Sequence, residues 1–156
     1  MASVLVVDDD ESFATALGRI IKELGHSFVW AVDGQDGLMK YHDGDFDLVI
    51  ADLKMPRMSG VEFIRELKRI NKEVVVLVIT GYSDLASAVE TLTLGAYDYI
   101  EKPVSVEKFR AVLERGLEKR RLVAQLSFSR GMIWMIVISI PLWMILGIIL
   151  SYLWTR

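Results

Sequence analysis

Four short polar sets in this chain could do chemistry together, each at or just after the end of a strand-like run. Asp8, Asp9 and Asp10 follow Val4–Val7, and Asp52 follows Leu48–Ala51. Thr80 closes the run from Val74, and Lys102 with Pro103 follows Tyr97–Ile100. If the chain folds so that these ends meet, several carboxylates converge on one spot. Ionised carboxylates repel one another unless a cation sits among them. Hard oxygen ligands with room for water and a phosphoryl group suit Mg²⁺. A carboxylate beside such an ion can act as a nucleophile and form an aspartyl phosphate. Phosphoryl transfer needs positioning and neutralisation of charge on the equatorial oxygens. A lysine ammonium and a threonine hydroxyl can supply part of that.

The elements that must bring these residues together are legible in the hydrophobic pattern. Val4–Val7 is continuously apolar, as expected of a strand covered on both faces. Phe13, Leu17, Ile20, Ile21 and Leu24 recur at helical spacing, and Gly25 stops that helix. The pattern then predicts strands at Ser27–Ala31, Leu48–Ala51, Val74–Ile79 and Tyr97–Ile100. Helices are predicted at Gln35–Tyr41, Ser59–Ile70, Ser83–Leu94 and from Ser105 to about Leu126. Five strands each followed by a helix predict an α/β fold, a doubly wound parallel sheet with helices on both faces. In such sheets the functional crevice lies at the carboxyl ends of the strands. The Asp, Asp, Thr and Lys all fall there. Polar loop ends that merely meet water account for one or two carboxylates, but not readily for the whole set.

The segments VLVVDDDES, DLVIADLKMPRMSG, VVVLVITGYSD and GAYDYIEKPVS, in that order, resemble the receiver domain of two-component response regulators. The likeness covers Val4 to about Leu122. It implies a flavodoxin-like five-stranded sheet in the order 2-1-3-4-5, with Asp52 as phosphoacceptor. It further implies Asp8, Asp9, Asp52 and the backbone carbonyl of Lys54 as Mg²⁺ ligands, Thr80 as the switch hydroxyl and Tyr99 as the switch aromatic. Lys102 would hold the phosphoryl group, and the Lys102–Pro103 bond would be cis. Tyr99 also fits a simple half-buried strand aromatic, and Asp10 is extra to the acidic pair and is expected to be solvated. Ser83 to Leu122 is most similar to receivers of AAA+ transcriptional activators, yet the chain carries no P-loop GxxxxGK[ST] and no recognition helix.

The rest of the 156 residues bounds where such a module works. Met132 to Trp154 is 23 residues without a charged side chain. At about 1.5 Å per residue a helix of that length spans the roughly 30 Å hydrocarbon core of a bilayer. Trp134 and Trp154 sit near its ends, where interfacial aromatics belong. Arg115, Lys119, Arg120, Arg121 and Arg130 precede the segment and one Arg follows it, which by the positive-inside rule places the N-terminal part in the cytoplasm. The expected organisation is a receiver domain over 1–124, a juxtamembrane linker over 125–131 and a transmembrane helix over 132–154, in the cytoplasmic (inner) membrane. Before Met132 there are 17 basic and 21 acidic residues, a formal −4, which argues against a nucleic-acid surface. With no cysteine there is neither a disulfide nor a thiol nucleophile.

The expected partners are a sensor histidine kinase or phosphotransfer protein, the lipid bilayer, a membrane-protein output partner and a second copy of the chain, with no nucleic acid. The expected activity is a self-catalysed phosphorylation and dephosphorylation switch, not an enzyme with an external substrate. Two other readings stand beside it: a membrane scaffold in which phosphorylation is dispensable, and a phosphate sink for a kinase.

Overall fold

The computed structural model describes residues 1–81 and 85–125, together with Ser139 and Trp154. The expected transmembrane helix over 132–154 lies otherwise outside the described residues. Among the described residues, no helix is long and apolar enough to cross a membrane. The chain divides into two compact units, Met1–Arg120 and Arg121–Arg156.

Strands and helices alternate: β1 (Ser3–Val7), α1 (Glu11–Glu23), β2 (Ser27–Ala31), α2 (Gly34–Asp43), β3 (Leu48–Ala51), α3 (Gly60–Ile70), β4 (Val76–Thr80), α4 (Leu85–Thr93) and β5 (Asp98–Glu101). A helix over 106–125, α5, follows. The strands form one parallel sheet in the order β2-β1-β3-β4-β5. Successive side chains of a strand point to opposite faces, so a strand buried on both sides feeds two cores. On one face Val4, Val6, Leu48, Ile50, Leu77 and Ile79 pack with Ala14, Leu17 and Ile21 of α1 and Phe109, Val112 and Leu113 of α5. On the other, Leu5, Val7, Val49, Ala51, Val76 and Val78 pack with Phe63, Ile64 and Leu67 of α3.

The helix ends follow local chemistry. Asp10, Asp33 and Ser59 each cap a helix N-terminus by accepting a backbone N–H, from Phe13, Asp36 and Glu62 respectively. Gly25, with φ of 81°, takes the left-handed conformation just past α1, as the pattern predicts.

Several boundaries shift by one or two residues from the sequence expectation, β4 the most instructively. β4 starts at Val76, not Val74, because the Val74 N–H turns back to the Asn71 carbonyl (3.3 Å) and its carbonyl accepts from Lys68 Nζ (2.7 Å). It runs on through Thr80, whose carbonyl accepts from the Lys102 N–H at 2.8 Å. Asp10 is exposed, as expected of the third aspartate, and its carboxylate also caps α1.

Candidate functional site: an acidic pocket closed by Lys102

β1 and β3 are neighbours, in register from Val4 and Leu48 to Val7 and Ala51, so the next residue of each, Asp8 and Asp52, emerges at the same edge. The ladder continues past the strand ends: Asp8 N–H donates to the Ala31 carbonyl (3.1 Å) and Asp52 N–H to the Val7 carbonyl (2.9 Å). Both carboxylates are therefore on rigid backbone, and both are buried, at 2% and 7% exposure. Gly60 lets the β3–α3 turn close: a Cβ there would lie 2.1 Å from the Asp52 carbonyl oxygen, well inside van der Waals contact.

Lys102 comes from the loop directly after β5. Its Nζ lies 2.7 Å from Asp8 Oδ2 and 2.8 Å from Asp52 Oδ2, bridging the two carboxylates. The other oxygen of each accepts a backbone N–H: Asp8 Oδ1 from Asp10 at 2.9 Å, Asp52 Oδ1 from Lys54 at 3.1 Å. The Trp30 indole donates to the Asp8 carbonyl at 2.9 Å. The Lys102–Pro103 peptide bond is cis.

Burial raises the pKa of the Asp8 carboxyl, and the hydrogen bonds from Lys102 and the Asp10 N–H offset this only in part. For Lys102, burial alone lowers the pKa. The hydrogen bonds and charges of Asp52 and Asp8 outweigh it, so the ammonium is held above its ordinary value.

Exposed Asp9 completes an acidic group: one oxygen each from Asp8, Asp9 and Asp52 lies within 4.8 Å of the others. One ammonium faces three carboxylates, so the pocket has room in its charge for a divalent cation, and oxygen-only ligands fit a hard one. Thr80 is fully buried at the end of β4, between the strands that carry Asp52 and Lys102. Tyr99 pairs in register with Val78 and is half-buried against the α3 side of the sheet.

Three residues near this edge carry roles that pattern reading did not assign. Phe13 places its ring centroid 4.0 Å from Lys102 Nζ. Asp33, fully buried, caps α2 with one oxygen and forms an ion pair with Arg57 of the β3–α3 turn through the other. Arg57 takes a left-handed φ of 64° to do so. The Asp before GQD is a readable helix-cap signal; its arginine partner, 24 residues on, is not signalled locally.

The fold is a flavodoxin-like parallel sheet in the order 2-1-3-4-5, with an acidic pocket bridged by one lysine at its carboxyl edge. Residues 4–114 match the model of the response regulator receiver domain, and the chain belongs to that family. It is 36% identical over 118 residues to the transcriptional regulatory protein ZraR of Salmonella typhimurium, covering 76% of this chain and 27% of that one. It is 32% identical over 126 residues to the C4-dicarboxylate transport transcriptional regulatory protein DctD of Rhizobium meliloti, covering 79% and 27%. The chain thus matches about a quarter of the length of these relatives. Among solved structures, the receiver domain of NtrX from Brucella abortus superposes with a TM-score of 0.70 at 32% identity, covering 74% of this chain and 98% of that one. A receiver domain protein from Clostridium thermocellum gives 0.74 at 28% identity, covering 79% and 99%.

Proposed function

We propose that the chain is a phosphorylation switch whose phosphoacceptor is Asp52. The observation that carries this is the placement of the Asp52 carboxylate: buried, beside Asp8 and Asp9, with Lys102 Nζ at 2.8 Å. An oxygen of Asp52 attacks the phosphorus of a phosphohistidine on a sensor kinase or phosphotransfer protein. The new O–P bond forms as the N–P bond breaks, and the electron pair leaves with the imidazole. Lys102 neutralises charge on the equatorial oxygens, and the Lys54 N–H fixes the orientation of Asp52. Mg²⁺, held by Asp8, Asp9, Asp52 and the Lys54 carbonyl, would supply the remaining charge stabilisation. Thr80 and Tyr99 are read as the groups that carry the change toward α4 and β5. The domain catalyses its own phosphorylation and dephosphorylation and turns over no external substrate.

The uncharged segment over 132–154 supports an anchor in the cytoplasmic membrane, with the receiver facing the cytoplasm. Anchoring would raise its effective concentration toward a membrane-bound kinase and a membrane-protein output partner. The formal −4 of the preceding residues favours protein partners over nucleic acid.

The test is phosphoryl incorporation into the full chain from acetyl phosphate, read by intact mass. A mass gain that requires Mg²⁺ and disappears in Asp52→Asn is expected. Equal gain in the two proteins would overturn the assignment. For the anchor, the full chain is expected in the membrane fraction after alkaline carbonate, and a chain lacking 132–156 in the soluble one. Equal partition would overturn it.

A further inference from the structure

Three groups hold the Lys102 ammonium. Two are Asp8 Oδ2 at 2.7 Å and Asp52 Oδ2 at 2.8 Å; the third is the face of the Phe13 ring, its centroid 4.0 Å away. Phe13 sits in the first turn of α1. Its backbone N–H donates to Asp10 Oδ1 at 3.1 Å, which ties the ring to the same loop that carries Asp8 and Asp9. The ring is half-buried and packs on the α1–α5 side of the core, as does Val104 two residues past Lys102. Its place relative to Lys102 is thus set by the loop after β1 and the segment after β5.

The three contacts respond differently to loading of the pocket. The two carboxylates are the groups that a hard cation and a phosphoryl group claim, so in the loaded pocket they are shared or lost to the ammonium. The ring carries no charge and no oxygen, and does not ligate a hard cation. Its negative face attracts the ammonium in either condition. We propose that Phe13 is a positioning residue for Lys102: its ring face holds the ammonium over the pocket while Asp8 and Asp52 are engaged elsewhere. This rests on the reading of Asp52 as phosphoacceptor. A residue that merely packs needs bulk at this position; one that positions an ammonium needs a π face.

The experiment uses the full chain in detergent micelles and has two readouts. The first is the NMR shift of the Lys102 ε-methylene protons, assigned with Lys102→Arg. Nuclei over a ring face are shielded, so these protons are expected upfield of those of the other lysines. They are expected to stay upfield when Mg²⁺ and beryllofluoride, a phosphoryl mimic, are added. The second is the rate of phosphoryl incorporation from acetyl phosphate at saturating Mg²⁺. Phe13→Leu keeps apolar bulk and is expected to lose the shielding and slow the rate roughly tenfold, the scale of a desolvated cation–π contact. Its Mg²⁺-dependent rise in Tm should remain. Phe13→Tyr is expected to restore both shielding and rate. An unshielded Lys102, shielding that vanishes on adding Mg²⁺ and beryllofluoride, or equal rates for the Leu and Tyr variants would each overturn the proposal. A wild-type chain that shows the shielding but takes up no phosphoryl group would overturn the phosphoacceptor reading instead.

Discussion

α3 and α4 lie side by side yet are fastened very differently. α3 is capped by a reciprocal Ser59–Glu62 box and buries Phe63, Ile64 and Leu67 completely. The turn before it is held by Gly60 against Asp52 and by the Arg57–Asp33 pair. Of the described side chains of α4, Thr91 alone is buried, while Val89 and Leu92 are 56% and 48% exposed. An ion pair between half-exposed side chains, Arg65 to Glu90 at 2.9 Å, links the two helices. Local opening costs least where few apolar contacts hold an element. Chemistry that needs fixed carboxylates sits on the rigid backbone at the ends of β1 and β3, the fixed side of the molecule; a surface that must change on phosphorylation would be least costly at α4.

That contrast can be broken or sharpened by substitution. Phe63→Ala should have the largest effect, about 3–5 kcal/mol lost in equilibrium denaturation, because it empties a fully buried site. Val89→Ala, on the exposed face of α4, should stay within about 0.5 kcal/mol; similar losses for the two would erase the contrast. Ser59→Ala removes one half of the capping box and should cost about 1 kcal/mol in the same measurement.

Asp8→Asn probes the electrostatics of the fixed side. The folded pKa of Asp8 lies above its unfolded value. Its contribution is therefore fully present below the ordinary carboxylate range and lost as pH rises through the raised value. At neutral pH without Mg²⁺ the ionised, buried Asp8 costs stability. The variant is thus expected to melt higher than wild type near neutrality, with the gain shrinking toward acid pH. The wild-type rise in Tm on adding Mg²⁺ should be weakened or lost in it. Because a proton and the cation compete for Asp8, the Mg²⁺ midpoint of the wild type should also move to higher concentration as pH falls through the raised pKa. A pH-independent midpoint would count against Asp8 as a ligand.

The smallest global effect is expected from Glu90→Ala. An exposed pair is worth about 0.2–1 kcal/mol, and the loss here should be at the low end. Hydrogen exchange should nevertheless quicken in α4 and not in α3. Equal quickening in both would mean that they open as one unit.

Much of this was legible in advance. The apolar runs of β1 and β3 lie fully inside, and the helical spacing of Phe63, Ile64 and Leu67 became the buried stripe of α3. Asp8, Asp9, Asp52 and Lys102 meet, as their positions after strands predicted. Boundaries were less legible, since Val74 and Val75 are as apolar as the strand they precede. Only the turn bond from the Val74 N–H to Asn71 keeps that residue out of the ladder. Asp10 is exposed as expected, but its capping role is not legible, because a cap is recognised by the N–H it accepts and a third aspartate in a row hides that signal.

Periodicity and turn residues are local properties, so the sequence by itself determined the order of strands and helices and the edge at which the polar residues emerge. The contacts that give the site its character are not local. Lys102 bridges Asp8 and Asp52 across separations of 94 and 50 residues. Phe13 meets the same ammonium, and Arg57 reaches the buried Asp33. Such pairings depend on side-chain placement to within about an ångström. Close packing of distant elements sets that placement, and no spacing along the chain encodes it.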